Sequence, residues 1–83
     1  MKKDENWAVA QDRIIDFFRS QRDVQQMGDA FRYRSCIIRL EAVPGQAMGK
    51  WEILRTRIIM EGDDVDVQEI HHRFFLRFLS AGG

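Results

Sequence analysis

His71 and His72 are the residues best suited to acid–base chemistry, because an imidazole gains or loses a proton near neutral pH. With Glu69 or Cys36 nearby, either ring could transfer a proton or bind a metal ion. Neighbouring residues on a helix point about 100° apart, however, whereas histidines that share a metal ion are usually three or four residues apart. The sequence also lacks a Ser/His/Asp or Cys/His grouping typical of nucleophilic catalysis. We therefore predict a non-catalytic protein in which His71 is partly buried and Cys36 is a core thiol.

A cluster of acidic residues precedes the histidines and raises the question of a divalent cation. An EF-hand loop needs acids at fixed offsets, a glycine and a distal glutamate, and this segment does not supply that pattern. Helix capping accounts for the acids instead, because Asp66 and Glu69 have the spacing of a capping box. We predict no metal site and no cofactor. The cluster comprises Glu61, Asp63, Asp64, Asp66 and Glu69.

The sequence ends in Gly82-Gly83. In these two residues it resembles the ubiquitin-like sulfur carriers, whose terminal Gly-Gly is the acceptor end. The resemblance implies a carrier role and a β-grasp fold dominated by strands. Since this chain is predicted to begin and end with helices, a helix cap followed by a tail is the favoured interpretation. A sulfur-carrier-like or enzymatic role through Gly83 or His71 stays open as an alternative.

Composition is that of a folded chain, with 83 residues of which 45% are hydrophobic and 31% charged. This length predicts a single domain over residues 1–83. Thirteen basic residues balance thirteen acidic residues, so no global field favours nucleic acid or an anionic membrane. The single cysteine, Cys36, and the lack of any long apolar run predict a cytoplasmic protein without membrane contact.

Two amphipathic helices are expected to flank an extended region. Apolar residues recur with helical spacing over residues 4–21 and again over residues 66–81. Residues 31–43 and 50–62 read as strands joined at Pro44-Gly45, a dipeptide that favours a type II turn. The predicted fold class is α+β: an α-β-β-α two-layer sandwich, with an antiparallel β-hairpin covered on one face by both helices. The predicted core comprises Trp7, Ile14, Phe17, Phe18, Cys36, Ile38, Leu40, Leu54, Ile58, Ile70, Phe74 and Phe78.

The hairpin is the candidate interaction surface, because the neutral total conceals a dipolar charge distribution. Residues 31–60 contain six basic and two acidic residues, whereas residues 61–83 contain five acidic and two basic residues. Isoleucines interleave with arginines on one hairpin face, where the arginine stems could cover them or a second molecule could pack. The predicted binding or interface residues are Ile37, Arg39, Trp51, Ile53, Arg55, Arg57 and Ile59.

The favoured function is an interaction module that forms homo-oligomers, with a dimer favoured, through the hairpin. An isolated hairpin is marginally stable and has two free edges. Two registers are considered, one with Leu40 opposite Leu54 and one with Arg39 opposite Ile53. The alternative is a nucleic-acid-binding or regulatory module, in which Phe31, Tyr33 and Trp51 would stack on bases beside the arginines.

Overall fold

The computed structural model describes the backbone of residues 1–48 and 51–82 and the side chains of residues 1–44 and 54–79. In chain order the elements are β1 (Lys2–Trp7), α1 (Gln11–Ser20), β2 (Gln25–Met27), β3 (Ala30–Tyr33), β4 (Cys36–Met48), β5 (Trp51–Glu61) and α2 (Asp64–Gly82). The fold class is α+β, as predicted, with the two helices packed on a five-stranded antiparallel sheet. The strand order in the sheet is β1-β5-β4-β3-β2, so the sheet is larger than the predicted hairpin.

The predicted helix over residues 4–21 is wrong in its first half. Residues Lys2–Trp7 form β1, which pairs antiparallel with β5 and places Trp7 opposite Thr56. Only Gln11–Ser20 is helical, as α1. The apolar residues before position 10 fit a helical wheel by coincidence, because Lys3, Glu5 and Trp7 also alternate as the half-buried face of a strand.

The second predicted segment, residues 31–43, contains a turn that the sequence did not reveal. Strands β3 and β4 pair antiparallel around Arg34 and Ser35, with Tyr33 opposite Cys36. Arg34 has a φ of 52°, a left-handed conformation in which a non-glycine residue is uncommon. A short strand, β2, precedes β3 and pairs with it across Gly28, whose φ is 62°. Glycine takes this conformation readily, so the Gly28 turn places β2 at the sheet edge.

The hairpin itself exists, but its turn and its register differ from the prediction. Strand β4 runs through Pro44-Gly45 to Met48, which pairs with Trp51. A register shift between Val43 and Gln46 marks an irregularity around Pro44, which has no N–H to donate to a neighbouring strand. Leu40 lies opposite Ile58 and Arg39 opposite Ile59, so both predicted registers are wrong.

Helix α2 begins at Asp64, two residues before the predicted start, and extends to Gly82. The amide of Val67 donates to the Asp63 carbonyl at 3.0 Å, which places the first turn ahead of Asp66. Asp66 therefore does not cap this helix. Its carboxylate accepts hydrogen bonds from the Ser35 amide and hydroxyl, at 3.2 and 2.6 Å, and so ties α2 to the β3–β4 turn.

The core lies between the helices and alternate residues of β3, β4 and β5, which we call the inner face of the sheet. Eight of the predicted core residues are buried in one cluster with Val9, Phe31, Tyr33, Met60 and Val67. Trp7, Phe17 and Leu40 are partly buried against that cluster. Leu54 was expected in the core but is exposed. The eight are Ile14, Phe18, Cys36, Ile38, Ile58, Ile70, Phe74 and Phe78.

Strands β4 and β5 extend past the strands that flank them. Strand β1 ends where Trp7 meets Thr56, and β3 begins where Ala30 meets Arg39. Residues 43–48 and 51–55 therefore pair only with each other, and we call them the hairpin arm. The elongation of the molecule, 42 × 23 × 19 Å, accords with such an extension. Within the described residues, neither helix has the length and apolar character required to cross a membrane.

Candidate interaction surface

The structure brings five of the predicted interface residues onto one sheet face, opposite the inner face. We call it the outer face. Arg39 lies opposite Ile59, and the next pairs along β4 and β5 are Glu41 with Arg57 and Val43 with Arg55. Ile37 and Ile59 are half-buried, because neighbouring side chains cover part of each isoleucine. The side chains of Trp51 and Ile53 lie outside the described residues.

Arg57 is neutralised within the chain. Its guanidinium forms two hydrogen bonds to the Asp4 carboxylate, at 2.8 and 2.5 Å, and a third to Glu41 at 3.1 Å. The hydrogen bonds from Arg57 hold the pKa of Asp4 below its usual value, and the same contacts raise the pKa of Arg57. This bidentate pair joins β1 to β5 on the outer face. It leaves Arg57 less available to an external anion than the sequence suggested.

Arg39 and Arg55 differ from Arg57, since neither forms an ion pair with any other residue whose side chain is described. Arg39 also lines an open depression of about 190 Å³ with Asp29, Leu40 and Glu41. The depression lies where β3 begins and β4 continues without it. Among the predicted interface arginines, Arg39 and Arg55 are therefore the two whose charge is not paired with a described carboxylate.

Phe31 and Tyr33 lie in the core, where they are not accessible for stacking on bases. Both are buried on the inner face. The Tyr33 hydroxyl donates to Glu69 at 2.6 Å, and the guanidinium groups of Arg34 and Arg73 lie 5.3 and 5.0 Å from the centre of its ring. The hydrogen bond to Glu69 raises the pKa of Tyr33. These contacts fasten β3 to α2 and give Tyr33 a structural role.

His71 is partly buried, as the sequence predicted, and its ring contacts β1. The Nε2 atom of His71 lies 2.7 Å from Oε1 of Glu5, which also accepts a hydrogen bond from Trp7 Nε1 at 3.1 Å. Burial raises the pKa of Glu5, but the hydrogen bonds from His71 and Trp7 outweigh burial and leave it below its usual value. The ring of His71 also stacks on Phe75. His71 thereby holds the edge strand β1 against α2.

Cys36 is a fully buried core thiol, again as predicted. Burial is the largest influence on the thiol and raises its pKa to about 11. A thiol with that pKa is almost entirely protonated at neutral pH, so it is a poor nucleophile and metal ligand. The acidic cluster is likewise engaged in structural contacts through Asp66 and Glu69. Within the described part of the chain, no group of three or more His, Cys, Asp or Glu residues is arranged to hold a metal ion.

An exposed apolar patch near the hairpin arm was not identified from the sequence. It consists of Leu54, Phe75 and Leu79, which expose 58%, 37% and 49% of their surface. The sequence did show that the apolar arc of the second helix includes Phe75 and Leu79, but the sheet covers only part of that arc. Leu76 lies on the opposite side of the helix, as predicted, and is 60% exposed. We call the three-residue group the terminal patch.

Leu54 and α2 approach each other because β5 and α2 extend in the same direction beyond β1. Helix α2 contacts Glu5 through His71 and then Trp7 through Phe75, whose ring centre lies 6.0 Å from that of Trp7. Leu79 is one helical turn beyond Phe75, about 6 Å further. Leu54 is two residues beyond Thr56, the partner of Trp7, and about 7 Å further along β5. The terminal patch therefore flanks the base of the hairpin arm.

The C-terminal glycines bear on the sulfur-carrier alternative. Gly82 is the last residue of α2, and Gly83 lies outside the described residues. The described fold has five strands and two helices, and it begins with strand β1, not with a helix as predicted, while the long helix α2 follows the last strand. No protein-family model, curated protein or solved structure matches the chain.

Proposed function

We propose that this chain is a small, non-catalytic interaction module that associates with copies of itself through the β4–β5 hairpin. The observation that supports this proposal is the hairpin arm, which has no flanking strand on either edge within the described residues. Exposed strand edges pair readily with other strands, and a two-stranded ribbon gains stability from such pairing. The terminal patch beside the arm adds apolar surface that association would bury.

The non-catalytic part of the proposal rests on how the chemically capable groups are used. His71 is engaged with Glu5, and Cys36 is buried with a raised pKa. A single cysteine forms no internal disulfide, which accords with the cytoplasmic location that we propose. The proposed assembly state is a dimer, in keeping with the preference of soluble homo-oligomers for closed two-fold symmetry.

Sedimentation equilibrium at micromolar concentration tests the proposal. A concentration-dependent species near twice the chain mass of 9.8 kDa is the expected result. Self-association would be refuted if the protein sediments as a single species near 9.8 kDa at all concentrations up to about 100 µM. That upper limit is about a hundredfold above a micromolar Kd. A protein marker of similar mass, run in the same buffer, serves as the control for non-ideality.

Binding to nucleic acid is the second candidate, and Arg39 and Arg55 are the observation that favours it. Both lie on the outer face without an ion pair to a described side chain, so they are available to phosphates. Such binding should weaken steeply with salt and should be abolished by Arg39→Glu with Arg55→Glu. The loss of Phe31 and Tyr33 as stacking groups makes this candidate the weaker of the two. If neither single-stranded nor double-stranded probes shift at low salt, nucleic-acid binding is eliminated.

A further inference from the structure

The edges of the sheet are not equally able to accept a strand. The outward edge of β1 carries Lys2, Lys3, Asp4 and Glu5, and charged residues on an edge oppose further pairing. Strand β2, at the other edge, has only three residues. On the arm, the β4 edge contains Pro44, which lacks an N–H, together with the register shift that follows Val43.

The β5 edge of the arm, Trp51–Arg55, is longer than β2, and it carries two charged residues, Glu52 and Arg55, against four on β1. It contains no proline, and four of its residues pair with β4. The three pairs from Gln46 with Ile53 to Met48 with Trp51 are in continuous register, and the extra residue at the shift before them belongs to β4, not to β5. The edge is free because β1 ends opposite Thr56. It is also the edge that adjoins the terminal patch, since Leu54 belongs to both. A strand added here would lie beside exposed apolar side chains.

The direction of the backbone groups on this edge follows from Gly62. Its N–H donates to the Met1 carbonyl at 3.1 Å, so the even-numbered residues of this strand present their backbone groups toward the side occupied by β1. By the same alternation, the N–H and C=O groups of Glu52 and Leu54 point toward the free edge. They are two residues apart, with Ile53 between them.

This spacing is self-complementary. If two β5 edges pair antiparallel about a two-fold axis at Ile53, Glu52 of each copy lies opposite Leu54 of the other. Each of those two pairs exchanges two hydrogen bonds, so four are formed. Arg55 of one copy lies about 13 Å from Arg55 of the other, four residues along the strand and beyond the screening length of about 8 Å at physiological salt. The register therefore satisfies the free backbone groups and sets no like charges directly opposite each other, while Glu52 of each copy lies diagonally, about 7–8 Å, from Glu52 of the other.

The same axis brings the two terminal patches together. Because it stands perpendicular to the sheet, both copies keep their α2 helices on the same side. Leu54 of each copy then lies diagonally across from Leu54 of the other, on the sheet face that carries α2 with its exposed Leu79. One event therefore covers both the free edge and the apolar surface next to it.

We propose that two copies of this chain pair through the Trp51–Arg55 edges of β5, forming a four-stranded sheet in the order β4-β5-β5-β4 with Leu54 and Leu79 of both copies packed on one side. This inference rests on the proposed self-association and names the edge and the register through which it occurs. A second copy is the favoured occupant because the edge matches itself in length, in hydrogen-bond spacing and in adjoining apolar surface.

Disulfide trapping tests the register. Paired Cα atoms at a non-hydrogen-bonded position are about 4.5 Å apart, within the range that a disulfide spans. Mild oxidation of Ile53→Cys should therefore yield a covalent dimer, whereas the matched control Arg55→Cys should remain largely uncrosslinked. The native Cys36 does not interfere, because it is fully buried. A dimeric Ile53→Cys protein that fails to crosslink, or an Arg55→Cys protein that crosslinks equally well, would overturn the register.

Charge insertion tests the patch and separates the two proposals. Leu54→Lys should weaken dimerisation at least tenfold in sedimentation equilibrium. Leu76→Lys, at a residue with the same exposure but outside the patch, should change it less than twofold. A dimer that survives Leu54→Lys but dissociates with Ile37→Lys and Ile59→Lys would overturn the β5 edge and retain self-association. A wild-type protein that is monomeric throughout would overturn both.

Discussion

Substitution of Thr56 tests which interaction holds the segment that follows the C-terminal end of β1. Its side chain is fully buried on the inner face, and its hydroxyl donates to the Val9 carbonyl at 2.7 Å. This bond anchors the segment that leaves β1 and crosses toward α1, at the point where the β5 edge becomes free. Thr56→Val keeps the shape of the side chain but removes the donor, which leaves the Val9 carbonyl buried without a partner.

The expected cost of Thr56→Val is about 2 kcal/mol, from the range of about 1–3 kcal/mol for an unsatisfied buried polar group. For a chain of this length that corresponds to a Tm lower by roughly 8–16 °C. Thr56→Ser is the control, because it keeps the hydroxyl and loses one methyl group, at a cost of about 1 kcal/mol. Thermal melts should be run at one protein concentration, since association contributes to stability.

The ranking of the two variants decides the matter. Thr56→Ser should be the more stable, even though valine has the higher strand propensity and a better apolar match to its neighbours. If Thr56→Val were as stable as Thr56→Ser, or more stable, the hydrogen bond to Val9 would not be what holds the end of β1.

Two further predictions concern Glu5 and Gly62. The pKa of Glu5 is lower in the folded state than its ordinary value of about 4.5. Ionised Glu5 therefore stabilises the fold fully at pH values above about 4.5, and this contribution is lost as the pH falls through the lower, folded-state pKa. Between pH 6 and pH 3 the urea midpoint of wild type should fall further than that of Glu5→Gln, and parallel curves would contradict the Glu5–His71 contact. A Cβ added at Gly62 would lie 2.6 Å from the Ser35 carbonyl oxygen, whereas one at Gly28 would meet no atom within 4 Å. Thermal melts should therefore show Gly62→Ala losing about 3 kcal/mol and Gly28→Ala about 1 kcal/mol, despite the positive φ of Gly28, and the reverse order would be inconsistent with the close approach at Gly62.

The sequence alone determined the features that depend on local periodicity. The α+β class follows from it, and α2 lies within two residues of its predicted bounds at each end. Alternation along β5 predicts one face with Leu54, Thr56, Ile58 and Met60, and that face is buried except at Leu54, which lies beyond the end of β1. In such segments the side-chain period and the required burial agree, so the pattern is enough to identify the element.

Tertiary structure decided what depends on a distant partner. Residues 4–7 were assigned to the first helix because Trp7 falls on its apolar arc, and only pairing with β5, 49 or more residues away in the sequence, makes them part of a strand. The position of the hairpin turn was decided in the same way, because pairing with β5 carries β4 through Pro44-Gly45. Local sequence propensity contains no information about backbone hydrogen bonds to a strand that is distant in the sequence.

For the candidate interaction surface as well, some features followed from the sequence and others depended on tertiary contacts. Interleaved arginines and isoleucines in the sequence predicted one shared face, and Arg39, Arg57 and Ile59 do share it. The ion pair between Arg57 and Asp4 could not be predicted from the sequence, because residue 4 was assigned to a helix. The free β5 edge and the exposure of Leu54 depend on where β1 stops. That endpoint is set by the crossing of the chain at Val9 and Thr56, a contact between residues 47 positions apart that no local pattern encodes.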